Sequence, residues 1–363
     1  MSILRKLARP ATKVLNGGFR KIAMYFHTTI CDITLRMVFE DEMAKWKPDF
    51  VHAHDGISLP VAAKVAERCN AKLLFDSHEL ETHRNPPLPW LRKQQVIRME
   101  RKYLPQTDAT FTVGHKIANH LKKEYGIPKP VVLYNSPRKV AMPLPERLMT
   151  RDRTDVRDEL SAHNASFLIV HTGNVTFNRG IEQAVIGLSK AAEDTQFREK
   201  YPRGIHLALV GNSVPATVKR VESLQAKYGN RIKISYLPPV APNRIVEYIR
   251  TANAAMSCGV PLVLSYEFGM PNKLFEAVLA GLPILSSDLI EKKRFVLKHN
   301  LGVPYQADDT YDLATAFLKL ALNLETYQRT PEEQAEMVDQ FSWEAQEKKL
   351  LAVYDELENG AAT

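Results

Sequence analysis

No stretch of these 363 residues approaches the ~18–20 consecutive apolar residues of a membrane-spanning helix, so a protein built of such helices is not expected. Cysteine is scarce: Cys31, Cys69 and Cys258 lie too far apart for a disulfide framework or a CxxC zinc site, which fits a reducing, cytoplasmic setting. There is no DxD-like pair of acids to hold a metal, and no recognisable nucleic-acid module. Acid is missing altogether from residues 1–31, where Arg5, Lys6, Arg9, Lys13, Arg20 and Lys21 stand unopposed. They supply +6 of the net +8, leaving +2 for the rest of the chain. That segment interleaves its cations with Leu4, Leu7, Val14, Leu15, Phe19 and Tyr25. It reads as amphipathic helical pieces broken at Pro10 and Gly17-Gly18: either a helix docked on the core, or one lying on an anionic membrane surface. Asn16, Gly17 and Gly18 interrupt any apolar run that would make it a signal peptide.

What the chain does have is ordinary globular composition, 45% hydrophobic and 25% charged, which argues against long disorder. At this length two domains are expected rather than one. Short apolar runs alternate with helical patterns, as in parallel β-α-β units. In the first half the strands are 48–53, 71–76, 109–113 and 131–134, with helices at 36–46, 60–69, 90–103 and 116–125. Pro, Arg and Asp crowd 136–164, marking a boundary. A second series follows, with strands 166–171, 205–210, 232–236, 254–258 and 283–287. A charged helix closes the chain at 343–357. The expected divisions are a basic segment 1–31, a first Rossmann-like domain 32–140, a linker 141–164, a second Rossmann-like domain 165–335, and a helix 336–363 returning toward the first domain.

Parallel sheets of this kind bind ligands beyond the carboxyl ends of their strands. His54, Asp55, Asp76, His78, Glu79 and Asn135 stand there in the first half; 171–174, Gly211, Asn212 and the loop 265–273 do so in the second. The densest constellation is 271–281, PNKLFEAVLAG. Pro271 suits a helix start and Gly281 a helix end. Between them Leu274–Ala280 is apolar all round except for Glu276, so this carboxylate lies in or near the interior and needs a partner. It is either a core salt bridge or an acceptor for a vicinal diol such as a ribose. Free N–H groups at the helix start, with Lys273, suit a diphosphate. Gly173 would let a phosphate approach the backbone after strand 166–171, and Arg179 would neutralise it.

With these residues the second half resembles the nucleotide-sugar-binding domain of GT-B glycosyltransferases of the retaining family 4 type. The matching segments are HTGNVTFNRG (171–180), LVGN (209–212), PNKLFEAVLAGLPILSS (271–287) and SWE (342–344). The first half resembles the acceptor domain through DFVHAHD (49–55), FDSHE (75–79) and VLYNSP (132–137). The resemblance implies an α/β fold of two Rossmann-like parallel-sheet domains facing a cleft. It implies transfer of a sugar from a nucleotide-diphosphate sugar, with retention and without metal or cofactor, to a lipid-linked or glycan acceptor. It places Glu276 on the donor ribose, Arg179 and Lys273 on the diphosphate, and Gly173, Asn174 and Asn272 beside the phosphates or sugar. Pro239 and Val240 would take the base, and His78 would approach the transferred sugar from the acceptor side with His54, Asp55 and Asn135. The family often has a glutamate eight positions before the ribose-binding one; here Phe268 stands there, with Glu267 next to it. The first half also lacks a glycine-rich opening loop and about three early strands. That leaves an abbreviated acceptor domain that is minimal, truncated or completed by another chain. Two other readings share the fold: a sugar-nucleotide 2-epimerase, and a non-catalytic or partner-dependent subunit. The basic segment would bring the protein to the inner face of the membrane.

Overall fold

The computed structural model describes residues 33–34, 37–139 and 155–360. The basic segment 1–31 and most of the expected linker lie outside the described residues. Contacts divide the chain into two units. One comprises residues up to Thr112, Ile117–Val132 and the tail from Leu357; the other comprises Val113–Lys116 and Leu133–Glu356.

The first unit opens with a helix, α1, over 37–44. Its sheet is β1 (Phe50–His54), β2 (Lys72–Ser77), β3 (Ala109–Thr112) and β4 (Val131–Val132), in that order and all parallel. Helices α2 (Asp55–Cys69), α3 (Trp90–Tyr103) and α4 (His115–Tyr125) make the crossovers. The sequence pattern starts α2 at Pro60, yet the helix begins directly off β1 at Asp55. Ser58 Oγ lies 2.6 Å from the His54 carbonyl and 3.0 Å from that of Asp55, so its one hydroxyl hydrogen is shared between the two carbonyls at this abrupt start. Strand β4 stops at Val132, not Tyr134. Leu133 and Tyr134 are buried in the second unit, where Tyr134 packs 4.7 Å from Phe275 and 6.1 Å from Phe295 between ring centroids.

The second unit begins with the short helix α5 (Val156–Glu159), capped by the Asp155 carboxylate. Its sheet contains β5 (Phe167–Thr172), β6 (Ile205–Val210), β7 (Ile232–Leu237), β8 (Ala254–Ser257), β9 (Ile284–Ser287) and β10 (Gly302–Tyr305). All six are parallel, in the order β10-β9-β8-β5-β6-β7. The chain adds strands outward from β5 on one side, then crosses back to β8 on the other. That is the doubly wound order, with its switch point between β5 and β8. Every residue of β5 and β6 is buried, as expected for strands covered on both faces. The helices are α6 (Ile181–Ala191), α7 (Thr195–Lys200), α8 (Pro215–Tyr228), α9 (Ile245–Ile249), α10 (Leu264–Phe268), α11 (Asn272–Leu279) and α12 (Ile290–Lys298). After these come α13 (Thr310–Leu322), α14 (Pro331–Phe341) and α15 (Trp343–Gly360). Phe167, Phe197, Tyr201 and Phe317 form the aromatic centre of the core, with ring centroids 5.0–6.3 Å apart. Among the described residues no helix is long and apolar enough to cross a membrane.

Candidate active site

The carboxyl ends of β5 and β8 flank the switch point, and the residues there are held by few but specific contacts. His171 is wholly buried near the end of β5. Burial, then the nearby Lys273 charge, hold its pKa well below the ordinary imidazole value, so it is neutral. Its Nδ1–H donates to the Met256 carbonyl at 3.2 Å, which leaves Nε2 as the acceptor for the Lys273 ammonium at 3.0 Å. Lys273 is thereby fixed without a carboxylate, and burial lowers its own pKa. Next to His171, the Thr172 hydroxyl donates to Glu276 Oε2. Burial raises the Glu276 pKa, against the opposing pull of Thr172 and Lys273. Both Lys273 and Glu276 are half-buried, so each retains a face toward solvent.

Glycine shapes the floor. Gly173 adopts φ +101°, and a Cβ there would lie 3.7 Å from Lys273 Nζ. Gly211, after β6, has φ +152°, and a Cβ would come within 2.2 Å of the Gly173 carbonyl oxygen. The two strand-end loops therefore touch backbone to backbone. Arg179 and Asn174 are exposed, and the Arg179 guanidinium lies 5.1 Å from the centroid of the Tyr266 ring on α10. Asn272 is exposed as the first residue of α11, with Pro271 in the cap position rather than inside the helix. Leu274, Phe275, Ala277, Val278 and Leu279 are buried around Glu276, matching the apolar pattern. The structure thus brings Gly173, Lys273 and Glu276 into one cluster. Glu267 is half-buried on α10, beside Tyr266. Pro239 and Val240 follow β7, the outermost strand on the β6 side, with Pro239 exposed and Val240 half-buried.

In the first unit a second cluster caps β1 and β2. His54 and Asp76 are register partners, so their side chains share one face. His78 Nε2 lies 3.3 Å from Asp76 Oδ2, and Nδ1 lies 3.6 Å from Asp55 Oδ2. Asp55 adopts φ +59°, a left-handed conformation that aspartate tolerates and that marks functional turns. Asp55 first and Asp76 second push the His78 pKa up to about 10, so this histidine is an imidazolium at neutral pH. It is therefore no general base, and its N–H groups are already directed at carboxylates. His52 stacks on His54 at 4.5 Å between centroids, and burial lowers its pKa to about 4. The ligand atoms of His52, His54 and Asp76 lie within 4.8 Å of one another. Tetrahedral ligation at ~2.0–2.1 Å needs donors ~3.3 Å apart, so these side chains would have to close in to hold a metal. Asn135, grouped with these residues in the sequence pattern, belongs to the second unit, where it is exposed.

Two family models match the chain: Glycosyltransferase Family 4 over residues 19–136, and Glycosyl transferases group 1 over 166–323. This chain is a GT-B glycosyltransferase. The D-inositol 3-phosphate glycosyltransferase of Nocardia farcinica is 22% identical to it over 340 residues, covering 90% of this chain and 71% of that protein. Among solved structures, sucrose-phosphate synthase from Thermosynechococcus elongatus superposes with TM-score 0.69 at 18% identity, covering 91% of this chain and 78% of that one. Anabaena HepE in complex with UDP superposes with TM-score 0.65 at 14% identity, covering 89% and 82%. At such identities these structural likenesses concern the fold. Sequence reasoning about this GT-B glycosyltransferase placed Thr172 and Tyr266 in the strand-end segments 171–174 and 265–273 but gave neither a role, and it missed the His171–Met256 support. A hydroxyl at the last position of a buried strand was the available signal for Thr172. Tyr266 had none, because its contact with Arg179 joins elements far apart in the chain.

Proposed function

We propose that the protein transfers a sugar, with retention and without a metal ion, from a nucleotide-diphosphate sugar to a lipid-linked or glycan acceptor. The observation that carries the donor half is the cluster at the switch point. One carboxylate, Glu276, is held by Thr172, and one ammonium, Lys273, is held by a neutral His171, both beside the open backbone of Gly173. A ribose diol would donate to the free oxygen of Glu276. The diphosphate would lie against Lys273, Arg179 and the N–H groups that start α11, with Asn174 and Asn272 beside it. As the glycosidic bond breaks, charge grows on the leaving diphosphate, and these fixed positive groups stabilise it. The UDP and UDP-glucose complexes of Anabaena HepE support a uridine diphosphate donor as the first to test. Pro239 and Val240 would meet the base, and Glu267 the sugar. His78, with His54 and Asp55, would serve as a charged group that positions sugar hydroxyls on the acceptor side. The six cations of residues 1–31, with exposed Met37, Trp46 and Trp90 in the first unit, support a lipid surface as the place of work.

The test is release of nucleoside diphosphate from a panel of sugar nucleotides, with and without lipid-linked acceptors. It is repeated in chelator, with the product anomer assigned by NMR. The expected result is acceptor-dependent release that survives the chelator, and a product of unchanged anomeric configuration. Inversion would refute retention, and loss of activity on chelation would refute metal independence. Binding without release under any acceptor would favour the partner-dependent subunit.

A further inference from the structure

One buried cation near the donor loops has no part in the mechanism above. Lys292, in the first turn of α12, is 2% exposed. Its Nζ donates to the Ser257 carbonyl at 2.7 Å and to Ser287 Oγ at 2.6 Å. Ser257 ends β8 and Ser287 ends β9, so a single ammonium ties two adjacent strand ends beside the switch point. The path to the loops is short. A Cβ on Gly259 would lie 3.6 Å from Lys292 Nζ, and a Cβ on Gly180 would lie 3.1 Å from the Gly259 nitrogen. Gly180 directly follows Arg179. The Ser257 hydroxyl, also buried, has no hydrogen-bond partner among the described residues.

Lys292 makes no ion pair among the described residues; the neighbouring Asp288 is instead 3.7 Å from Lys293. The ionisable groups that interact with it are Cys258 after β8, Lys273 on α11, Asp288 after β9 and His171 on β5. A buried ammonium facing another cation, with no carboxylate in contact, loses its proton easily. Burial, helped by Lys273, lowers the Lys292 pKa to about 7.

We propose that Lys292 is a positioning residue of the donor site, which ties β8 to β9 beneath the Arg179–Gly180 turn and gains a proton from solvent when an anionic diphosphate binds above it. The inference rests on the donor reading. Its sign separates it from most of its surroundings. Glu276 and the phosphates of UDP would release protons on binding, Cys258 and Tyr305 are held neutral by burial, and His171 is held neutral far below pH 7. Lys273 is the other group whose lowered pKa would produce uptake, so the comparison must remove Lys292 alone.

The experiment is titration calorimetry of the full chain with UDP, in buffers of different ionisation enthalpy, from pH 7 to 8.5. Relative to Lys292→Met, the wild type should take up about half a proton per UDP at pH 7, approaching one near pH 8. Its UDP affinity should also fall with rising pH by up to ~tenfold per unit, a slope absent from the variant. Ser287→Ala, which removes one acceptor of the ammonium, should move the transition to lower pH, and it serves if Lys292→Met fails to fold. Equal proton counts in wild type and Lys292→Met, or an unmoved transition in Ser287→Ala, would overturn the proposal while leaving the donor site intact. Failure of the wild type to bind UDP or any other nucleoside diphosphate would instead sink the donor reading, and this inference with it.

Discussion

Replacing Glu276 by glutamine removes one charge and almost no volume. In the structure Oε2 is already occupied by the Thr172 hydroxyl, so one oxygen remains for a ligand. A hydrogen bond to a charged group contributes ~1.5–3 kcal/mol, against about 1 for a neutral one. If the remaining oxygen accepts from a ribose, the difference of ~0.5–2 kcal/mol should raise the dissociation constant of UDP in Glu276→Gln by roughly 2–30-fold. The fold should not suffer, because burial already penalises the ionised carboxylate. That penalty is absent below the unfolded pKa of an ordinary glutamate and grows as pH rises through the raised folded value. The variant should therefore match or slightly exceed the wild type in melting temperature near pH 8. The assay is paired: calorimetric UDP binding, and thermal melting of the ligand-free proteins. UDP affinity within twofold of wild type in a folded variant would refute the ribose assignment. Equal loss for UDP and for inorganic pyrophosphate would show that Glu276 acts on the phosphates or on the fold of the loop.

Neutralising Arg179 or Lys273 should lower turnover ~100-fold or more while barely changing uridine affinity, because the charge they meet develops on the diphosphate; steady-state kinetics beside uridine binding checks this. Gly211→Ala should cost at least ~2 kcal/mol and lower the melting temperature by roughly 4–8 °C, since its Cβ meets the Gly173 carbonyl at 2.2 Å and its φ is +152°. The His78 ring should titrate near pH 10 by NMR, and Asp55→Asn or Asp76→Asn should each bring that midpoint down. With a folded pKa above the unfolded one, the His78 contribution to stability is fully present below about pH 6.5 and fades as pH rises toward 10.

The second unit was the more legible half because its signals are local. Fully buried strands read as unbroken apolar runs, and the PNKLFE helix announces its own start, end and single buried charge. The stretch after β9 was not read. Strand β10 contains Pro304 and is only four residues long, and both features are tolerated because it lies at the sheet edge. Helix α14 was readable in principle, since Thr330 and Glu333 form a reciprocal capping box with Pro331 at the first position. The wiring of the candidate site was invisible in the sequence. Thr172 to Glu276 and Lys273 to His171 each join residues more than a hundred positions apart. Only the strand order brings them together. Asn135 illustrates the converse. It follows a first-half strand in sequence, yet Leu133 and Tyr134 anchor the segment among aromatics of the second unit.

The two clusters at strand carboxyl ends have opposite charge logic, which bears on what each recognises. Around β5 and β8 stand the cations Arg179, Lys273 and Lys292, and the carboxylate of Glu276 is engaged by a hydroxyl rather than by any of them. Such a site is incomplete electrostatically until an anion arrives, so it suits a ligand whose charge increases during the reaction. Around β1 and β2 the single imidazolium of His78 faces two carboxylates, Asp55 and Asp76, which outnumber it. A second anion gains little there, whereas hydroxyl groups can donate to the carboxylates. Under the function proposed above, the first cluster would take a diphosphate and the second the hydroxyls of a sugar.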